Sequence, residues 1–251
     1  MPLVYVFDGS FDSFWNCVYD SYIKKEIPDA ICIDGNLQCG FEQYVHAVEG
    51  NSANSLRVQR GFAKACGQRA SDIVRQCFLS FEHERMTWLF QYIRLGFERG
   101  SIITGMLAHP SVLPVEKMRM HIGNEVHRFH QFVRFSQMAN GVYYARIQPL
   151  NNVVPLIMPH FADRYNDQPF LIYDPGNGIA GVYDLNDWYL VETDSLQLPE
   201  ESEAEQEWKA LWKQFYSSIT IQQRRNEKLR RSFCPKRYWA DMMEMPTVIR
   251  R

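Results

Sequence analysis

At Phe132 the hydrophobic period of this chain changes. Upstream, Val115, Met118, Ile122, Val126 and Phe129 recur at spacings of three and four, the apolar stripe of a long helix. Downstream, "FVRFSQMANGVYYARIQP" is two alternating runs around Asn140-Gly141. An Asn-Gly pair between alternating runs is the strongest short-range hairpin signal, because both residues accept the positive φ that a tight hairpin turn demands. One chain therefore carries both periods, in separate blocks, which is the pattern of an α+β arrangement.

The flanking sequence fills in that frame. "LVYVFDGS" reads as a short buried strand, with Ser10 as N-cap of a helix from Phe11 to about Ile23. "EQYVHAVEG" is a second strand-like run. From Asn54 to Phe97 the pattern is helical, with Leu56, Phe62, Ala63 and Cys66 on one face and Met86, Leu89, Ile93 and Phe97 repeating further on. His109-Pro110-Ser111 breaks the series, and Ser111 fits as the cap of the long helix. After the hairpin come a Pro-interrupted helical segment, "NNVVPLIMPHFADRY", and the strands "PFLIYD", "IAGVYDL" and "DWYLVE". Helix returns near Glu203, where Trp208, Leu211, Trp212, Phe215 and Ile219 mark an apolar face. The expectation is one α+β domain over 1–251. Residues 1–131 are mainly helical, 132–192 form an antiparallel sheet of hairpins with an inserted helix, and 203–251 form a helical basic tail. The linker candidate is the acidic, Pro-containing stretch from Thr193 to about Ser202.

A chain of 251 residues with 46% apolar composition can bury a real core. No apolar run approaches the roughly 18 residues of a membrane span, and the opening residues read as no signal peptide. Six cysteines at irregular spacings, without a C-x-x-C pair, read as reduced thiols in a cytoplasmic protein. That spacing argues against structural zinc and Cys-ligated iron–sulfur clusters, and no cofactor is expected.

Several motifs imitate chemistry. "GNGIAG" at 176–181 matches G-x-G-x-x-G, but Val182 to Val191 alternate as strands, so no helix follows to meet a pyrophosphate and the motif reads as a hairpin turn. His121, Glu125, His127 and His130 share one helix without converging, and capping or groove-lining roles fit them better than metal ligation. Asp8 and Asp12 allow two readings: carboxylates of a metal-dependent nuclease, or a strand end and a helix-dipole partner. No metal site and no catalytic residue is assigned.

Charge is more informative in its distribution than in its sum of -2. Residues 224–239, "RRNEKLRRSFCPKRYW", hold seven Lys or Arg against Glu227 alone. Arg224, Arg225, Lys228 and Arg231 fall near one helical flank, and Lys236 and Arg237 adjoin Tyr238 and Trp239. Such a stretch either tracks phosphates, with aromatics free to stack on bases, or is a solvated face whose aromatics dock the tail. Asp194 to Glu207 carries six acids and no base, enough to compensate or to mask the tail. Arg57, Arg60, Lys64, Arg69 and Arg75 oppose only Asp72. The stripe Lys117, His121, Asn124, Arg128 and Gln131 steps along the long helix without a carboxylate. Of the sheet aromatics, at most two are expected to be exposed.

Together, "YVFDGSFDSF", "YIRLGFERG", "EVHRFHQFVRF", "YYARIQPLNNVVPLIMPHFADRY", "QPFLIYD" and "IQQRRNEKLRRSFCPKRYW" resemble a bacterial family of DNA metabolism or repair proteins catalogued as a domain of unknown function. "PHFADRY" and "PKRYW" are the most specific parts. The resemblance implies a radical S-adenosylmethionine partner. In some relatives the domain precedes a uracil-DNA-glycosylase-like domain, which is not expected within these 251 residues. Its patterns fall here on Asp8, Gly9, Ser10, His127, Arg128, Phe132, Arg134, His160, Asp163, Arg164, Gln168, Arg224, Arg225, Asn226, Pro235, Arg237, Tyr238 and Trp239. The expected function is that of a nucleic-acid-binding accessory of DNA repair, with phosphate contacts from Arg224, Arg225, Lys228, Arg231, Lys236 and Arg237, assisted by Lys117 and Arg128. Two alternatives stand beside it. One is a DNA-acting enzyme with a polar site among Asp8, His127, Arg134, His160, Asp163 and Arg164. The other is a protein scaffold that binds no nucleic acid.

Overall fold

The computed structural model describes residues 1–35, 44–193, 195–196, 200–220, 226–239, 242 and 245. The fold is α+β, and the chain divides into two compact units, Met1–Gly123 and Asn124–Arg251, each with its own hydrophobic core.

The first unit builds a small parallel sheet in the order β2-β1-β3, from β1 (Leu3–Phe7), β2 (Ala30–Ile33) and β3 (Tyr44–Ala47). α1 (Phe11–Ile23) starts where expected, because Ser10 Oγ accepts from the Ser13 N–H and satisfies one of the orphan donors of the first turn. α2 (Ser52–Cys66), capped by Asn51, α3 (Gln68–Phe78) and α4 (Arg85–Arg99) follow. Their buried faces join Tyr5, Phe7, Phe14 and Trp15 in one core. Gly96 lets α4 close on α2, since a Cβ there would stand 2.6 Å from the Phe62 ring.

The four-residue β2 is too short for a period to show in the sequence. α5 (Leu113–Phe132) starts two residues beyond Ser111, and the Ser111 N–H donates to His109 Nδ1. Pro114 sets the start, because its missing N–H costs nothing in a first turn.

The second unit holds a five-stranded sheet in the order β4-β5-β6-β7-β8. β4 (Ser136–Gln137) and β5 (Tyr143–Arg146) form the expected hairpin, with Gly141 at φ +84° and its N–H donating to Met138 O. β6 (Phe170–Asp174), β7 (Ile179–Tyr183) and β8 (Trp188–Glu192) are antiparallel. The sheet is not antiparallel throughout, however: β5 pairs parallel with β6. The inserted helix, α6 (Val154–Arg164), is a crossover that returns the chain to the same end of the sheet. Gly181 on β7 makes room for it, as a Cβ there would collide with Met158. "GNGIAG" runs from the β6–β7 turn into β7, and the turn is fastened by Asp174 Oδ1, which accepts from the Gly176 N–H at 3.0 Å.

α7 (Glu203–Ile219) buries none of its residues. Its apolar face is exposed, Trp208 to 69%. α8 (Glu227–Phe233) precedes Cys234, Tyr238, Trp239 and Met242, all of which join the core of this unit.

Candidate ligand pocket and basic surface

Three chain ends meet in the second unit. α5 stops at Phe132, and Arg134 Nη1 turns back to donate to Gln131 O (3.0 Å) and Val133 O (3.2 Å), satisfying carbonyls the helix leaves unpaired. α6 stops at Arg164, with the Tyr165 N–H on Phe161 O and the Gln168 N–H on Tyr165 O. Tyr143 and Phe170, the first residues of β5 and β6, lie opposite each other in register. Between them is a pocket of ≈ 330 Å³, walled by Phe135, Tyr143, Tyr165 and Phe170 and completed by Val133, Arg134 and Gln168. Phe135 meets Tyr165 and Phe170 edge-on, each at 5.4 Å between centroids, so the walls hold one another in place.

The residues of the expected polar site belong to both units. Asp8 lies in the first unit, where its carboxylate accepts from the Ser10 N–H at 2.9 Å and is held below the ordinary range by that bond and by the Ser10 side chain. Asp12 accepts from the hydroxyls of Ser52 and Ser55. Asp8 is therefore engaged in a local turn, and Asp12 in contacts to the first turn of α2. His127, His160, Asp163 and Arg164 are exposed in the second unit. Arg164 lies 5.7 Å from the Tyr165 ring centroid, beside the pocket to which Arg134 belongs. Among the described residues no group of three or more His, Cys, Asp or Glu could hold a metal ion.

One pairing escaped sequence reading. His130 on α5 stacks on His160 of α6 at 4.1 Å and 26°, and His130 Nε2 is buried without a hydrogen-bond partner. Burial first, then His160 and His127, lower the His130 pKa from 6.5. The unfolded chain thus takes up this proton at higher pH than the folded one, so stability is lost as pH falls below 6.5. Thermal unfolding between about pH 7.5 and about pH 5 should show that fall, and His130→Phe should reduce it. Equal pH dependence in the two proteins would mean the stack imposes no such proton linkage.

The basic features are sorted by their contacts. Lys117, His121, Asn124 and Gln131 are exposed on α5 and Arg128 is half-buried. Arg57, Arg60, Lys64, Arg69 and Arg75 are exposed on α2 and α3, Arg75 lying 3.4 Å from Asp72. In the tail, Arg224 and Arg225 fall outside the described residues. Lys228, Arg231 and Lys236 are exposed, without an acid partner among the described residues. Arg237 is not: its Nη2 stands 3.3 Å from Glu125 Oε1 and donates to Tyr238 Oη at 2.7 Å. Arg230 pairs with Glu227 and covers the Trp239 ring at 4.7 Å. Tyr238 and Trp239 are buried, so the tail aromatics dock. Of the aromatics in and beside the sheet, Tyr189 is exposed and the pocket residues Phe135 and Tyr143 are half-buried.

Residues 83–244 match the sequence profile of a family described as a domain of unknown function, DUF4130. The chain is a member of the DUF4130 family. No curated protein matches it. Within this DUF4130 chain the match takes in the pocket, the histidine stack and the docked tail, whereas Asp8, Gly9 and Ser10 lie outside it.

Proposed function

We propose that this DUF4130 chain is a cytoplasmic accessory protein of DNA repair or DNA metabolism that binds nucleic acid and works with a radical S-adenosylmethionine enzyme. One observation carries the nucleic-acid part. Tyr238, Trp239, Arg230 and Arg237 are spent on docking the tail, which leaves Lys228, Arg231 and Lys236 exposed on a fixed segment. Cations held outward on an anchored element bind phosphates at less entropic cost than the same charges on a loose chain. The partner rests on the family resemblance, and the compartment is supported by the buried free thiols Cys17, Cys66 and Cys77.

Anisotropy of labelled single- and double-stranded DNA across a salt series tests the reading. Each phosphate neutralised contributes a log–log slope of about -0.9 on duplex or -0.7 on single strands. Reversing Lys228, Arg231 and Lys236 to Glu together should flatten the slope by about 2.7 on duplex or about 2 on single strands. Absence of salt-sensitive binding even at low salt would overturn it. Co-purification with a co-expressed radical enzyme tests the partner.

A further inference from the structure

We propose that the pocket between the ends of α5 and α6 receives a planar, uncharged heterocycle with donors on its edge, namely a nucleobase bearing an exocyclic amine. The lining sets the shape. A volume of ≈ 330 Å³ suits a nucleoside and is small for a dinucleotide cofactor. Four rings from four chain segments supply the walls, and Phe135 is braced edge-on by Tyr165, Phe170 and Phe161, so a flat guest meets surfaces already in place.

Electrostatics then select among flat guests. Two helices end at this pocket, and a helix C-terminus carries partial negative charge. Arg134 Nη1 donates to Gln131 O and Val133 O, so that edge of its guanidinium is engaged with the end of α5. The four rings in turn suit a flat, weakly hydrated guest better than a bare phosphate or carboxylate, whose lost hydration they do not replace. Gln168 completes the selection, since its amide can give and accept one hydrogen bond each, the pairing that reads the amino edge of a base. Exposed Arg164, beside Tyr165, leaves a cation at the edge for an adjoining phosphate. The pocket adjoins the amino ends of β5 and β6, opposite the carboxyl ends where parallel sheets usually bind ligands, so its own lining makes this case and fold analogy does not. That the base belongs to a strand rests on the function proposed above; that the pocket takes such a ring does not.

The test uses the full chain with two probes, 2-aminopurine riboside and a single-stranded oligonucleotide holding one central 2-aminopurine. Base emission and oligonucleotide anisotropy are recorded together. The expected result is quenching of both probes and no displacement of the riboside by inorganic phosphate. Gln168→Ala should weaken riboside binding about tenfold with the far-ultraviolet circular dichroism unchanged. Oligonucleotide binding seen by anisotropy with unchanged emission would overturn this inference and leave the nucleic-acid reading intact. Quenching of the riboside without any oligonucleotide binding would support the pocket and overturn that reading. Displacement by phosphate, or unchanged riboside affinity in Gln168→Ala, would overturn the pocket assignment.

Discussion

Glu125→Ala is expected to destabilise the unit formed by residues 124–251 by about 3–5 kcal/mol, because three donors lose a buried carboxylate acceptor at about 1–3 kcal/mol each. Glu125 is 2% exposed. Its carboxylate accepts from the Leu150 N–H at 3.0 Å, the Asn151 N–H at 3.0 Å and Asn151 Nδ2 at 2.7 Å, and faces Arg237 Nη2 at 3.3 Å. Truncation leaves the entry to α6 without its acceptor and Arg237 without its counter-charge. Glu125→Gln keeps the volume but one oxygen becomes an NH₂ that confronts donors, so an intermediate loss of about 1–3 kcal/mol is expected. Urea unfolding followed by tryptophan fluorescence measures both. Arg237→Ala should cost less than the sum when combined with Glu125→Ala, because the two changes remove the same interaction. Additive losses would show that the pair is not coupled, and Arg237 would return to the set of cations available for phosphate.

That pair also marks where sequence reading stops. Lys236 and Arg237 are neighbours with the same charge, yet one faces solvent and the other Glu125, because the turn from Lys236 to Tyr238 aims them apart. Nothing in the spacing of basic residues distinguishes them. Local signals were legible: Ser10 as a cap, Asn140-Gly141 as a turn, Asp174 to Asn177 as the β6–β7 connection. Each is decided by residues within a few positions of one another. The parallel pairing of β5 with β6 was not legible, since the strands carry no mark of direction. The clue was the helix between them, long enough to recross the sheet. The pocket is harder still, as Phe135, Tyr143, Tyr165 and Phe170 belong to four segments and each alone reads as core. His130 and His160 meet only because α5 and α6 pack. In both cases the information sits in tertiary contacts between elements, which periodicity does not encode.

Trp239→Ala is expected to cost about 3–5 kcal/mol and to undo the docking of the tail. Trp239 is 3% exposed, donates Nε1–H to Cys234 O at 2.8 Å and lies under Arg230 at 4.7 Å. Three kinds of contact end together: ring burial, a hydrogen bond whose carbonyl partner stays inside, and a cation–ring contact on an Arg already oriented by Glu227 at 2.7 Å. Trp239→Phe keeps most of the packing and should cost about half as much, a difference that unfolding curves and limited proteolysis of the tail both report. The same variant separates two accounts of the basic residues, measured where circular dichroism shows the remainder folded. If Lys228, Arg231 and Lys236 act as a placed surface, Trp239→Ala weakens DNA binding and flattens the salt slope although no charge has been removed. If they act only as a local concentration of charge, affinity and slope stay as in the parent, because counterion release needs cations near phosphates and not a fixed geometry. An unchanged slope with a protease-sensitive tail would therefore reject the anchored-surface account while keeping the electrostatic one.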